Sequence, residues 1–161
     1  MLCSVAALGA CHKDSGMPAP AATKPRVSAP VPVKQGPSAD ELTAGMVEAA
    51  APGKSQVPVK LKFDLLQRPT LGQMLEVSIA VMPEIDASPA AIEVTGGEGL
   101  TVAPDATQFE LPLLEAGQVY RQNLKVTPTA EGVLLLGLTI SLKHDETTES
   151  RTFSIPLIVG R

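Results

Sequence analysis

The sequence predicts an all-β domain over residues 53–161, an antiparallel β-sandwich of seven or eight strands. After Val57, apolar residues alternate with polar ones, which is the period of a strand with one buried face. Clusters of Gly, Pro and Asp separate these segments at the spacing typical of a sandwich. No helical period interrupts them, so we expect strands throughout this part of the chain.

The first strand shows the pattern most clearly, because apolar residues at odd positions 57–65 alternate with polar ones such as Lys60 and Lys62. The same alternation recurs at 75–81, 92–94, 100–102, 109–113, 124–126, 134–142 and 153–159. Short antiparallel strands in this number and spacing resemble an immunoglobulin-like sandwich. Pro112 and Pro156 fall within the strand patterns. A proline removes a ladder donor, so both predict edge strands or bulges.

One short helix is predicted before the sandwich, over residues 38–52. Ser38 lies three residues before Glu41, which is the spacing of a capping box. Leu42, Met46 and Val47 would form its apolar face, and Pro52-Gly53 would end it. Isolated helices of this length are marginal in water, so we expect it to dock on the following domain.

The segment before this helix, residues 11–37, is rich in Pro, Ala and Ser and has no apolar period. Proline fixes φ and removes a donor, so this composition predicts a disordered, extended tether. At polyproline spacing, some two dozen residues reach up to about 70 Å. A docking peptide at Pro30-Val31-Pro32 is the alternative interpretation.

The N-terminus, residues 1–10, is apolar and leads into Leu8-Gly9-Ala10-Cys11. This pattern resembles the lipobox of bacterial lipoprotein precursors. The resemblance implies a signal segment that is cleaved before Cys11, and acylation of that cysteine. His12 stands where an aspartate would favour inner-membrane retention, so the resemblance implies an outer-membrane, periplasm-facing location. Secretory signals begin with positive charge, so we expect the true signal to start upstream of Met1. A cytosolic chain with a chance cysteine is the alternative.

The composition of the chain limits the classes of function that it can have. Aromatic residues make up only 2% of the chain against 44% apolar residues, so the predicted core is aliphatic. Residues 57–161 carry eight Lys/Arg and thirteen Asp/Glu, a net charge of −5 that disfavours nucleic-acid binding. Cys3 and Cys11 both lie at the N-terminus, which leaves the sandwich no thiol. We therefore predict no cofactor and no catalytic activity.

One weak candidate for a cation site follows the strand at 134–142, where four residues provide possible ligands: His144, Asp145, Glu146 and Glu149. Their spacing does not close a coordination shell, and a solvated hairpin turn is the competing interpretation. Glu84 and Asp86 form a second acidic loop, with nothing in the spacing that requires a cation.

A partner surface is suggested by apolar residues on the wrong side of two strands. Val133, Leu135 and Ile158 fall out of phase with their buried neighbours, so they form an exposed patch unless the short helix covers them. Tyr120 is interpreted as an amphipathic core residue, with a tyrosine corner as the alternative.

Together these features predict a lipid-anchored cell-envelope protein, attached to the membrane through its acyl chains. The sandwich would be a non-catalytic interaction or assembly module with an envelope protein as partner. A periplasmic ligand-binding module, for example for a glycan, is the alternative, and a metal-dependent hydrolase is a third hypothesis. Sandwich folds host many functions, so the fold alone does not decide between them.

Overall fold

The computed structural model describes residues 37–53, 57–144 and 146–160, except the side chain of His144. The proposed signal segment, the lipobox with Cys11, nearly all of the tether, and Asp145 lie outside the described residues. The described part belongs to one compact unit, residues 35–161. It is an immunoglobulin-like antiparallel β-sandwich, as predicted.

The described residues contain nine strands, one α-helix and one 3₁₀ turn. In chain order these are α1 (Ala39–Leu42), β1 (Val47–Glu48), β2 (Val59–Leu65), β3 (Leu75–Pro83), β4 (Ala90–Gly96), β5 (Leu100–Val102), the 3₁₀ turn Pro104–Ala106, β6 (Gln108–Leu111), β7 (Tyr120–Pro128), β8 (Gly132–His144) and β9 (Thr147–Val159). One sheet has the order β1-β2-β3-β7-β5 and the other has the order β6-β4-β8-β9. All eight strand segments predicted from the alternation are confirmed.

The two longest strands, β8 and β9, pair in one antiparallel hairpin from Gly132 opposite Val159 to His144 opposite Thr147. Side chains alternate between the two faces of a strand, so every second residue of β8 points into the sandwich. Leu136 and Leu138 are fully buried in this way. The core between the sheets is mainly aliphatic, as the composition predicted, with Phe63 and Phe153 also inside.

The predicted helix is present but shorter than expected. Its capping box is as predicted, since the Ser38 N–H donates to Glu41 Oε2 at 2.7 Å and the Glu41 N–H donates to Ser38 Oγ at 3.3 Å. The helix ends at Leu42 instead of continuing to Pro52. Gly45 has φ +83, and the chain then pairs with β2 as β1. The free edge of β2 offers main-chain partners that the helical period could not reveal, and β1 brings the strand count to nine.

The prolines mark sheet edges, as predicted. Pro112 directly follows β6 and Pro156 lies in β9, and these two strands are the edges of the four-stranded sheet. The Ser154 N–H points away from β8, because it donates to the Ala50 carbonyl at 2.7 Å. Pro156 has the same parity as Ser154, so its missing N–H removes no bond to β8.

No helix among the described residues is long and apolar enough to cross a membrane.

Candidate partner-binding surface

Four apolar side chains lie together on the outer face of the four-stranded sheet. Val133 is directly opposite Ile158 in the β8–β9 register, and Leu135 is directly opposite Pro156. Directly opposed side chains in an antiparallel pair have Cβ atoms about 5 Å apart and touch each other. Val133, Leu135, Pro156 and Ile158 therefore form one continuous surface, which we call the apolar patch.

The apolar patch is exposed. The exposed fractions are 67% for Val133, 52% for Leu135 and 71% for Ile158, and Pro156 is exposed as well. These positions are outside because the intervening residues Leu134 and Leu136 fill the core, with 6% and 0% exposed. A strand cannot bury the side chains of both its faces against one opposing sheet, because successive side chains point in opposite directions.

The short helix does not cover the apolar patch. α1 lies against the outer face of the five-stranded sheet, where Lys62 Nζ donates to Thr43 Oγ1 at 2.9 Å and the Arg121 guanidinium donates to the Leu42 carbonyl. Of the two alternatives that the sequence left open, the structure shows the exposed one for all three predicted residues, Val133, Leu135 and Ile158.

The apolar patch is bordered by two glycines that allow a close approach of neighbouring atoms. The Gly97 N–H donates to the Leu135 carbonyl at 2.8 Å, and a Cβ on Gly97 would lie 2.9 Å from that oxygen. A Cβ on Gly137 would lie 2.7 Å from Thr95 Oγ1. Larger side chains would disturb both approaches. Small residues are therefore required at both positions beside the apolar patch.

The other end of the same face is polar. Thr139 and Thr152 hydroxyls lie 3.1 Å apart across β8 and β9, and Ser141 and Ser150 hydroxyls lie 2.8 Å apart. Because these hydroxyls satisfy one another, this end offers little apolar area. On β8 these hydroxyls follow Gly137 and the apolar patch precedes it, so the patch is limited to one end of the sheet.

The predicted cation site stays a prediction. Glu146 and Glu149 are exposed in the β8–β9 hairpin, whereas Asp145 and the side chain of His144 lie outside the described residues. Within the part of the chain that the structure describes, no group of three or more His, Cys, Asp or Glu side chains is placed to hold a metal ion.

The second acidic loop makes structural contacts. Glu84 Oε1 lies 2.8 Å from Lys60 Nζ, and this hydrogen bond and negative charge raise the pKa of Lys60 above its ordinary value. Asp86 Oδ1 accepts the Ala116 N–H at 2.7 Å, which ties the β6–β7 connection to the loop after β3. Both carboxylates thus have partners within the fold.

Tyr120 packs against the core, as predicted, and its hydroxyl also bonds the backbone. Its hydroxyl accepts the Glu115 N–H at 2.8 Å, five residues upstream, while its ring lies half-buried at the start of β7. The tyrosine corner of immunoglobulin-like domains makes a similar bond, but at the start of the central strand of the other sheet. Tyr120 begins β7, which lies in the five-stranded sheet, so it is a core residue with an additional backbone bond.

The aromatic side chains do not form a stacking surface. All four lie among the described residues. Phe63 and Phe153 are buried, and Phe109 and Tyr120 are half-buried. Because glycan sites commonly present an exposed aromatic face, this placement disfavours the glycan-binding alternative.

No protein-family model and no curated protein sequence matches the chain. Among solved structures, it is similar to the GAE domain of GGA2p from Saccharomyces cerevisiae, with a TM-score of 0.47 and 8% identity over 70% of this chain and 96% of that one. It is also similar to WR4, a C. elegans MSP family member, with a TM-score of 0.38 and 12% identity over 61% of this chain and 97% of that one. The sheet order and register, not these likenesses, establish the fold described above.

Proposed function

We propose that the protein is a lipid-anchored cell-envelope protein whose β-sandwich acts as a non-catalytic interaction or assembly module. The observation that carries the proposal is the apolar patch, in which Val133, Leu135, Pro156 and Ile158 are exposed side by side on the outer face of the four-stranded sheet. Clustered exposed apolar residues on a soluble domain mark interaction sites, whereas scattered ones do not.

The size of the patch sets what the partner must supply. Fully burying an aliphatic side chain contributes about 1.5–3 kcal/mol, and these side chains have roughly half to two thirds of their surface left to bury. Together they contribute on the order of 4–6 kcal/mol, similar to the lower range of the association cost of about 4–15 kcal/mol. We therefore expect the patch to be the centre of a larger interface with polar contacts around it.

The envelope location rests on the sequence features before residue 37. Leu8 to Cys11 supply the lipobox pattern, and the proline-rich stretch that follows can hold the sandwich away from the membrane. More than one acyl chain on Cys11 would make the attachment stable. The sandwich would then face the periplasm from the outer membrane.

Fractionation and intact mass measurement test the anchoring. The chain, expressed behind a complete positively charged signal start in a bacterium with two membranes, is expected in the outer-membrane fraction, starting at Cys11 and carrying the mass of acyl chains. Cys11→Ser should move it out of that fraction, while Cys3→Ser, in the segment to be removed, should not. An unacylated product that retains residues 1–11 would contradict the envelope assignment.

Affinity capture tests the module. A stoichiometric envelope protein should be recovered with the unmodified chain and lost with Leu135→Asp or Ile158→Asp. The matched control is Thr148→Asp, which places the same charge at the opposite end of β9. Equal recovery with all three variants would rule out the apolar patch as the binding surface. A glycan recognised by the chain, with no protein recovered, would support the ligand-binding alternative instead.

A further inference from the structure

The segment from Ser38 to Ala50, which we call the strap, crosses the sandwich from one sheet to the other. Its first part lies on the outer face of the five-stranded sheet, and its β1 residues pair with β2. The Ala49 N–H then donates to the Leu61 carbonyl at 2.9 Å, and the Ala50 carbonyl accepts from Ser154 of β9. The strap is thus bonded to the edges of both sheets.

The strap lies over a small apolar strip. Ala80 of β3 is flanked in register by Lys62 of β2 and Arg121 of β7. Both cations bond strap residues, at Thr43 and at the Leu42 carbonyl, so this part of the strap passes directly above Ala80.

Burial shows that the strap covers the strip. Ala80 is 0% exposed and Met82 is 8% exposed, although both point to the outer face of the sheet, opposite to Ile79 and Val81. Met82 borders a shallow depression together with Ala39 and Asp40 of the strap. Without the strap, Ala80 would face water between Lys62 and Arg121, with Met82 beside it opposite Lys60.

The strap is held mainly by polar contacts. The Thr43 hydroxyl donates to the Ala39 carbonyl at 2.8 Å and accepts from Lys62, whose Nζ also lies 3.6 Å from Asp40. Thr43 and Ala49 are its only buried side chains among the described residues. Segments with few buried apolar contacts open at lower free energy than the core.

We propose that the strap is a releasable cover, which opens while the sandwich stays folded and uncovers the strip at Ala80 and Met82. The open strip is suited to a segment that offers a carboxylate to Lys62 and a main-chain carbonyl to Arg121, as Asp40 and Leu42 of the strap do. This device is independent of the apolar patch, which lies on the other sheet, and of any lipid on Cys11.

Thiol labelling tests the release. Met82→Cys places a thiol under the strap, at a position that is 8% exposed, and the control Ala90→Cys places one in the core of the other sheet, where Ala90 is 0% exposed. Both are made in the full chain carrying Cys3→Ser and Cys11→Ser, and alkylation by iodoacetamide is followed by mass. We expect alkylation at position 82 to be faster than at position 90 by on the order of 100-fold. Equal rates at the two positions would show that the strap opens only when the whole domain unfolds.

A second substitution tests how the strap is held. Thr43→Val keeps the side-chain shape but removes both hydroxyl bonds, so alkylation at position 82 should rise at least about fivefold, with position 90 unchanged. The control Thr139→Val removes a hydroxyl bond on the opposite sheet and should change neither rate. No acceleration at position 82 by Thr43→Val would overturn the proposal.

Amide exchange on the unmodified chain tests the release of the strap without a cysteine variant, in case such a variant does not fold. The Ala49 and Ser154 N–H groups are both bonded through the strap. They should exchange faster than the most protected amides of β3, with a weaker dependence on denaturant. Exchange of all these amides through one common opening would overturn the proposal.

Discussion

Adjacent residues of β8 provide a direct test of which side chains the sandwich buries. Leu136 is 0% exposed and Leu135 is 52% exposed, although they are neighbours in the chain and identical in chemistry. Truncating a fully buried leucine to alanine removes transfer free energy and leaves a cavity, at a total of about 2.7–5 kcal/mol. At a half-exposed position the transfer term is about halved and water fills the space, so Leu135→Ala should cost about 1 kcal/mol.

The assay is thermal and urea unfolding of the two variants beside the unmodified chain. For a domain of this size, 1 kcal/mol shifts Tm by about 4 °C, so Leu136→Ala should lower Tm by at least about 10 °C and Leu135→Ala by about 4 °C. The dependence on urea should stay constant, which confirms that only stability has changed. Equal losses, or the reverse order, would refute the register, because a slip by one residue exchanges the two faces of a strand.

Three further predictions concern single contacts. Tyr120→Phe removes the hydroxyl that accepts the Glu115 N–H and should destabilise the domain by about 1 kcal/mol in urea titration; no change would show that this bond is unimportant. Glu84→Gln should return the raised pKa of Lys60 towards its ordinary value in NMR titration. Because the pKa of Lys60 is raised in the folded state, the pair stabilises the fold below the ordinary lysine pKa and loses this effect as pH rises through the raised pKa. An unshifted pKa of Lys60 in the unmodified chain would contradict the ion pair. Gly99→Ala should cost at least about 2 kcal/mol in the same urea titration, because Gly99 has φ +78 and the new Cβ would lie 2.6 Å from that of Ala130; a smaller loss would mean that the turn adapts.

The strands were predictable because one physical rule governs them. Each needs one buried face, and the resulting alternation appears in the sequence wherever a strand pairs, as in Leu134, Leu136 and Leu138. The same rule located the apolar patch, because Val133, Leu135 and Ile158 are apolar where the phase requires exposure. Sequence pattern therefore predicted both the sandwich and its exposed surface.

The strap was harder to predict, because its structure depends on main-chain partners. Leu42, Met46 and Val47 have helical spacing, yet in the strap Leu42 and Val47 are exposed, Met46 is half-buried, and Val47 pairs with Phe63. No side-chain pattern in the sequence reveals that β2 has an open edge with which the strap can pair. The contacts of Thr43 were missed for the same reason, since its partner Lys62 is distant in sequence.

Tyr120 illustrates a different limit. A half-buried tyrosine has the same sequence signature whether its hydroxyl meets water or a backbone N–H. Which partner the hydroxyl has depends on the path of the loop before β7, which Glu115 and the contact between Asp86 and Ala116 determine. Turn geometry of this kind is set by tertiary contacts that a single sequence does not display.

Photo-crosslinking in the intact cell envelope tests most directly whether the apolar patch binds a protein. A photoreactive amino acid would replace Leu135 in one chain and Thr148, at the far end of the same face, in another. We expect a discrete protein adduct from position 135 and none from position 148. No adduct from either position, or the same adducts from both, would show that the apolar patch is not a protein-binding surface.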